Sequence, residues 1–470
     1  MAISEPVYDL IVVGAGPAGL AGARAARAAG LNVALLERDR LGGNSLNAGS
    51  VPSKSIIRSG RAFAPILDSR EFGAPSGAYA AADFAAVMSR MRRIRSRLSG
   101  YCSIEKLLDE GIDVFFCDAS FVGEKCLSAG AVELRFEKAL IATGARPSPC
   151  TIPGLEETGH RTSSTIFDID VLPKRLGVIG GGPLGCELAQ AFAHLGSHVT
   201  ILQNEPKFLP LEERDAAELL SLSLSRSGVD TRLNTQVVGV RSGNGEKYID
   251  AELNGVRYSV AVDEILLSVG RVANTEELNL GAAGVGCAAD GGVQVDDFLR
   301  TANSDVYAAG DVCMAQKFAN VAEASGRMAV LNAFGTGEHR CSRMIVPWCT
   351  YCDPEIAHVG MQVWDARRAS IPVKSFTVMM QDVDRAITDG SDDGFVKIHI
   401  RAGTDEIIGA TIVASRASEM INEISVLMHA KIGMRQLAAI LHTYPAQSDA
   451  IRLAAVAYMD SLRPRNISPM

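Results

Sequence analysis

The chain reads as α/β, built from two Rossmann-like units and a C-terminal α+β domain. Three observations carry that reading. A strand pattern ending in Gly14-Ala15-Gly16-Pro17-Ala18-Gly19 opens an Ala-rich helix, the same pattern returns at Gly180-Gly181-Gly182-Pro183-Leu184-Gly185, and beyond Val346 the texture turns to alternating, antiparallel-looking strands.

In the first unit the short apolar run Tyr8 to Val13 feeds the glycine turn, the helix runs to Gly30, and a second strand, Asn32 to Leu36, ends on Glu37. Strand, turn, helix and acid together form a dinucleotide fingerprint. Glycines allow a tight turn and close backbone approach to a pyrophosphate, the helix N-terminus supplies its dipole, and Glu37 accepts from a ribose hydroxyl. The second unit repeats this with the strand Leu176 to Ile179, a helix through Leu195 and the strand Ser197 to Leu202. In the first unit the acid stands 23 positions after the first glycine (14 to 37), and the same count from Gly180 reaches Gln203. A neutral amide neither selects a 2′-hydroxyl as an acid does nor attracts a 2′-phosphate as Arg does. Glu205 and Lys207 follow with opposite signs, so both NADH and NADPH stay open.

Other segments carry the same texture. Leu140 to Ala145, with Ala142-Thr143-Gly144 at its turn, closes the first unit, and Ile265 to Arg271, with Gly270, closes the second. Val306 to Asp311 is a further strand ending in Gly310-Asp311, which puts an aspartate at the carboxyl edge where parallel sheets bind ligands. The C-terminal region is expected to hold strands at Ser375–Met380, Gly394–Ile400 and Ile407–Val413, with helices at Ala417–Ile432 and Asp449–Ser461. The basic cluster Arg90 to Arg97 is expected to be a solvated helix face.

With 470 residues, two to four domains are expected. Forty-six Lys+Arg against 54 Asp+Glu give a net charge of -8, which excludes a general attraction for nucleic acid or anionic lipid. No apolar run approaches the ~18 to 20 residues of a membrane span, and MAISEPVYDL lacks a basic start followed by an apolar stretch, so a cytoplasmic protein is expected. The ten cysteines are scattered; Cys349 and Cys352, the one close pair, are expected to pack rather than to bind metal or cycle between redox states. No metal site is expected.

Taken in order, these landmarks, with GGNSLNAGSVPSK (Gly42 to Lys54) and Thr350-Tyr351-Cys352-Asp353-Pro354-Glu355, resemble the flavoprotein pyridine nucleotide-disulfide oxidoreductases: glutathione reductase, dihydrolipoamide dehydrogenase and mercuric reductase. The resemblance covers essentially the whole chain. It implies FAD in a domain of residues 1–150 completed by 279–345, NADH or NADPH in 151–278, and a homodimer interface in 346–470. FAD contacts are implied at Gly14, Gly16, Pro17, Ala18, Gly19, Glu37, Arg38, Gly43, Asn44, Lys54, Ala142, Thr143, Gly144, Gly310 and Asp311. Nucleotide contacts are implied at Gly180, Gly182, Pro183, Leu184, Gly185, Glu187, Gln203 and Gly270. Lys54 matches a lysine beside the flavin and Glu187 its acidic partner; a cation there steadies negative charge on the ring, and a carboxylate holds the ammonium in place.

Departures from the pattern concern the thiols. Ser45 and Ser50 occupy the positions of the redox-active cysteine pair, and a hydroxyl neither forms a redox disulfide nor ionises usefully near neutral pH. Tyr444 stands where the family has its histidine base, Asp449 where that base has its orienting glutamate, and Tyr444 is the residue the mercuric reductase branch also carries. That branch uses a C-terminal cysteine pair, whereas this chain reads Arg465 to Met470 without one. His442 is expected to make a structural hydrogen bond. The expected activity is therefore an FAD enzyme that takes electrons from NAD(P)H and passes them to a small non-disulfide acceptor: a quinone, a metabolite, a metal ion or a second pyridine nucleotide. Two alternatives are a disulfide reductase whose cysteine pair has been replaced by serine, and a catalytically retired flavoprotein that senses or binds nucleotides.

Overall fold

The computed structural model describes residues 7–67, 82–335 and 337–463; the stretch Arg465 to Met470 lies outside them. Two compact units form. One comprises residues 7–59, 82–172 and 265–344, the other residues 60–67, 173–264 and 345–463.

In the first unit Ile112–Phe116, Val33–Glu37, Val7–Val13 and Val132–Ile141 lie side by side and parallel, and Val306–Ala308 joins the free side of Val132–Ile141. Leu10, Ile11, Val12, Val33, Ala34 and Leu35 are all buried, as expected of strands covered on both faces. A single register row, Leu36, Val13, Ile141 and Ala308, closes the sheet, so four loops leave one edge at the same level. The amino half of Val132–Ile141 pairs instead with the antiparallel hairpin Ala119–Gly123 and Cys126–Ala129. Helices Pro17–Ala28 and Ala319–Phe334 cross almost backbone to backbone, because a Cβ on Gly326 would stand 2.1 Å from the Ala18 carbonyl oxygen.

The second unit opens with parallel strands Arg175–Ile179, His198–Leu202 and Val229–Arg232. The antiparallel meander Thr235–Gly243, Glu246–Leu253 and Val256–Val262 packs on the first of them at Gly177, whose missing Cβ would lie 2.5 Å from Ile249 Cδ1. The C-terminal strands form a five-stranded antiparallel sheet in the order Pro347–Thr350, Glu355–Gly360, Ile407–Ala414, Phe395–Arg401, Val373–Met379. Helices Ala417–His429 and Asp449–Ser461 pack on it. The first ends three residues before the expected Ile432, because Lys431 enters the left-handed region at φ +56° and the Ile432 N–H turns back to the Leu427 carbonyl. Cys349 lies in a strand and Cys352 is buried, both free thiols.

The basic helix Phe84–Ser99 corrects one expectation. Arg93 and Arg97 face solvent, but Arg90 donates to the Ser55 carbonyl at 3.0 Å and Arg95 to the Asn47 carbonyl at 3.3 Å. Two of its five arginines therefore cap main-chain acceptors, at Asn47 and Ser55. Among the described residues no helix is long and apolar enough to cross a membrane.

Adjacent glutamates at the start of helix Arg214–Arg226 form a buried polar knot with the C-terminal sheet. Glu213 accepts from Lys397 Nζ at 2.8 Å and lies 3.0 Å from His399 Nε2. Burial raises its pKa, but His399 and then Lys397 outweigh that and hold it at about 2. Among the described residues no cation is bonded to the Glu212 carboxylate. It accepts from Thr350 Oγ1 at 3.3 Å while its other oxygen is buried without a partner, and burial pushes its pKa up to about 7. A carboxyl whose folded pKa exceeds its unfolded one binds more protons when folded, so its ionisation costs stability as pH rises from about 4.5 to about 7. Glu212→Gln, which mimics the protonated form, is expected to match the parent melting temperature at pH 5 and exceed it at pH 8, by on the order of 2–3 kcal/mol of stability. Thermal melts across that range check this; equal differences at both pH values contradict it.

Candidate functional site

At the carboxyl edge of the first sheet the glycines are a steric necessity. Gly14 has φ +103° and its Cβ would lie 2.5 Å from the Ala142 carbonyl oxygen; a Cβ on Gly19 would lie 1.8 Å from the Gly14 carbonyl oxygen, and one on Gly43 2.6 Å from Gly16 Cα. Three segments thus converge with no room for side chains. Helix Pro17–Ala28 starts there with Pro at its first turn and no side-chain cap, which leaves its leading N–H groups, among them those of Ala18 and Gly19, for an anion.

Glu37 holds this turn in shape. Its Oε2 accepts from the Ala15 N–H at 2.8 Å, and its Oε1 from those of Arg38 and Asp39 at 3.0 and 2.9 Å. A carboxylate offers about four acceptor positions, so one remains for a ligand hydroxyl. Beside it opens a cavity of about 260 Å³ lined by Gly14, Glu37, Arg38, Thr143, Arg146 and Asn274, among others. Its rim carries two ion pairs, Arg38 with Glu277 at 2.5 Å and Arg146 with Glu276 at 2.6 Å. The Ala142-Thr143-Gly144 turn is locked to Asn274 by reciprocal bonds: Thr143 Oγ1 donates to the Asn274 carbonyl at 2.7 Å, and Asn274 Nδ2 to the Thr143 carbonyl at 2.9 Å.

Asp311 follows Gly310, which has φ +77°. Its carboxylate pairs with Arg271 Nη1 at 2.6 Å; Arg271 Nη2 donates at 2.9 Å to the Ala145 carbonyl, which also accepts from Asn44 Nδ2. Arg271 therefore binds the Asp311 turn to the strand after Gly144, and through that carbonyl to the Gly43-Asn44 loop. Within that loop Ser45 sits in the short helix Gly43–Asn47, Ser50 is exposed at the start of helix Ser50–Leu67, and Lys54 is half-buried one turn on.

The second unit repeats the first cradle. Gly180 has φ +100°, Gly182 precedes a helix with Pro183 at its first turn, and Leu184 and the buried Gly185 follow. Gln203 Oε1 accepts from the Gly181 N–H at 2.7 Å, as Glu37 does from Ala15. Gly270, in the first unit, has φ +109°. Four residues beyond Cys186 on the same helix, Gln190 exchanges bonds with the main chain of Asp353, accepting from its N–H at 2.7 Å and donating to its carbonyl at 2.8 Å. Glu187, buried on that helix, accepts from the Tyr351 N–H at 2.9 Å. Arg61 holds the same turn through the Cys352 carbonyl at 2.7 Å and Glu355 at 3.0 Å. The Thr350–Glu355 motif is thus fixed through the main-chain groups of Tyr351, Cys352 and Asp353 and through the Glu355 carboxylate.

Tyr444 and Asp449 are in the second unit, separated in their bonding. The Tyr444 phenol is 73% exposed and donates to Asp384 at 2.7 Å, which raises its pKa and makes it a poorer base still. Asp449 is engaged by Arg452 at 2.7 and 3.0 Å, so within one chain it does not orient Tyr444. His442 bonds Glu423 at 2.7 Å, the structural role expected of it.

Residues 8–329 match the family model described as pyridine nucleotide-disulphide oxidoreductase, and residues 346–455 match the dimerisation domain of the same family. The chain belongs to the pyridine nucleotide-disulphide oxidoreductases. It is 30% identical to a mercuric reductase of Staphylococcus aureus, over 96% of this chain and 82% of that one. It is 28% identical to a dihydrolipoyl dehydrogenase of Chlamydia muridarum, over 97% of each chain. The HOCl-induced flavoprotein disulfide reductase RclA from Escherichia coli superposes with a TM-score of 0.86 at 27% identity, covering 96% of this chain and 99% of that one. As a member of this family the chain is an FAD-dependent NAD(P)H oxidoreductase, and its dimerisation domain supports a homodimer. The first cradle fits the ADP half of FAD: glycines where a phosphate must approach backbone, a free acceptor position on Glu37, and a cavity beside it.

Arg271, Asn274, Arg61 and Gln190 escaped the sequence reading. Arg271 and Asn274 had one available signal, polar residues directly after a strand and its Gly270 turn; Arg61 and Gln190 had none, since their partners are remote in sequence. Removing the Glu37 carboxylate leaves three backbone donors without their acceptor. Glu37→Ala is expected to weaken FAD retention by roughly tenfold or more, read as the flavin-to-protein absorbance ratio after gel filtration; full retention contradicts the assignment.

Proposed function

We propose that the flavin of this oxidoreductase hands its electrons directly to a non-disulfide acceptor, with no redox-active cysteine pair between them. One observation carries the reading: Ser45 and Ser50 stand in an otherwise intact GGNSLNAGSVPSK motif, which keeps its glycines, its Asn44 anchor and its Lys54. Arg95 and Arg90 brace that region from outside through main-chain carbonyls, so its shape has no need of a disulfide.

Five thiols of the first unit are poor substitutes. Burial raises the pKa of Cys102, Cys117 and Cys150, pushes Cys341 up to about 11 and Cys313 up to about 12, so all are protonated and weakly nucleophilic at neutral pH. A quinone, an oxidised metabolite, a metal ion or a second pyridine nucleotide fits as acceptor, since none of them needs a thiol. Mercuric reductase relatives support a metal ion as one candidate.

In this reading residues 1–150 and 279–345 bind FAD, residues 151–278 bind NAD(P)H, and residues 346–470 pair the subunits. FAD supplies hydride acceptance and onward electron transfer when bound. Lys54 would place a cation against it; the buried Glu187, a carboxylate at 4% exposure that needs hydrogen bonds to be stable there, accepts one from the Tyr351 N–H. Tyr444 gives its single O–H to Asp384, and Asp449 fixes the start of the last helix through Arg452.

Rapid mixing tests this. NADH or NADPH is expected to bleach the flavin anaerobically, a quinone, metal-ion or small-metabolite panel to include a compound that reoxidises it, and lipoamide and glutathione disulfide to leave it reduced. Turnover of either disulfide by the parent chain sinks the proposal. Glu187→Gln is expected to slow bleaching by about ten- to a hundredfold while FAD content holds.

A further inference from the structure

Between the second cradle and helix Arg214–Arg226 the chain crosses a polar face of the C-terminal sheet. Trp348, His358, Thr411 and Lys397 lie side by side on neighbouring strands of that sheet, and Thr350 and His399 follow two residues along on the same face. The crossing segment is pinned at both ends. Phe208 and Leu209 are buried before the crossing, and Glu213 beyond it is held by Lys397 at 2.8 Å. Only Pro210-Leu211-Glu212 spans the gap. Pro210 and Leu211 face solvent, Leu211 at 72% exposure, while Glu212 turns its side chain inward and is buried.

Neutral hydrogen bonds hold this span down. Gln362 Nε2 donates to the Leu211 carbonyl at 3.0 Å, Thr350 Oγ1 to Glu212 Oε1 at 3.3 Å, and the Glu212 N–H to the Leu209 carbonyl at 3.0 Å. Leu209 stands at φ +41°, a left-handed conformation that a residue with a side chain adopts at a cost, so the closed span carries strain that an open one sheds. Burial is the largest influence on the Glu212 carboxyl and pushes its pKa up to about 7; Thr350 and Trp348, donating from the sheet, oppose it, the adjacent Glu213 adds to it, and Arg214 opposes it. The remaining charges nearby are committed to one another. Lys397 pairs with Glu213 and Asp215, His399 lies 3.0 Å from Glu213, and the field of Glu213 reaches the buried His358. A neutral carboxyl is at home under the span; an ionised one, with Oε2 lacking a partner among the described residues, is stabilised by moving out to water.

We propose that residues 210–212 form a pH-operated flap on the C-terminal sheet, closed while Glu212 is protonated and released by its ionisation, with hinges at Leu209 and Glu213. The sign follows from proton linkage. A carboxyl that binds its proton more tightly in the closed state than in the open one favours closure at low pH; closure weakens as pH climbs from about 4.5 to about 7 and changes little above that. Thr350 is the catch of the flap, and the next residue, Tyr351, supplies the N–H on Glu187, so the catch lies one residue from that contact.

Amide hydrogen exchange of the FAD-loaded protein between pH 5 and pH 8, corrected for the intrinsic exchange rate at each pH, reads the flap through the Glu212 N–H. Protection of a peptide spanning residues 209–213 is expected to fall by about ten- to a hundredfold across that range, while the strand Val229–Arg232 of the same unit holds steady. Glu212→Gln is expected to keep the flap protected at every pH, and Glu212→Met, which is uncharged and of similar length, to do the same. Constant protection in the parent chain overturns the proposal. A fall that persists in either variant also overturns it, because the titrating group is then His358, His399 or another residue. Equal loss in Val229–Arg232 does so too, since the whole unit is then opening and not a flap.

Discussion

A single hydrogen bond, drawn twice, organises this molecule: the N–H after a left-handed glycine reaches a side-chain oxygen at the end of the next strand, Ala15 to Glu37 and Gly181 to Gln203. That bond holds the glycine turn open at the mouth of the sheet. The turn in turn sets where each helix begins, and the helix N-terminus sets where a pyrophosphate rests. In the first unit the constraint spreads further, since Gly14 must pass the Ala142 carbonyl, Gly19 the Gly14 carbonyl and Gly43 the Gly16 backbone, all closer than any Cβ allows. The loop carrying Ser45 and Ser50 is tied by contact to the same turn.

This explains how the thiols can go while the architecture stays. The Gly42–Lys54 segment is positioned by backbone packing at Gly43, by Asn44 on the Ala145 carbonyl, by Arg271 sharing that carbonyl, and by Arg90 and Arg95 from the neighbouring helix. None of those contacts involves residue 45 or 50. Chemistry at these two positions is therefore free to change from sulfur to oxygen without disturbing the loop, and under the proposed function electrons leave the flavin without thiol exchange. Tyr444 agrees with this: a phenol held by Asp384, with its pKa raised, is no thiol-activating base.

The parts of the site that obey a local rule were readable from sequence. Strand, glycine turn, helix and the residue 23 positions on are consecutive, so Glu37 and Gln203 were found by spacing alone. Long-range pairings were not. Arg61 reaches Glu355 across 294 positions and Arg271 reaches Asp311 across 40, and no periodicity announces either. Arg90 and Arg95 illustrate the opposite failure: a run of arginines on a helix looks solvated until a neighbouring backbone offers carbonyls to it. Glu212 is similar, because its neighbour Glu213 finds Lys397 and it does not, a difference decided by the fold of residues nearly two hundred positions away.

If electrons leave the flavin without passing through sulfur, then the enzyme stores only what the flavin stores. The direct measurement is the stoichiometry of an anaerobic reductive titration of the FAD-loaded protein with its reduced nucleotide. Full reduction at one nucleotide, that is two electrons, per flavin is predicted. Uptake of two nucleotides, four electrons, per flavin requires a second two-electron store such as a dithiol, and contradicts the direct route.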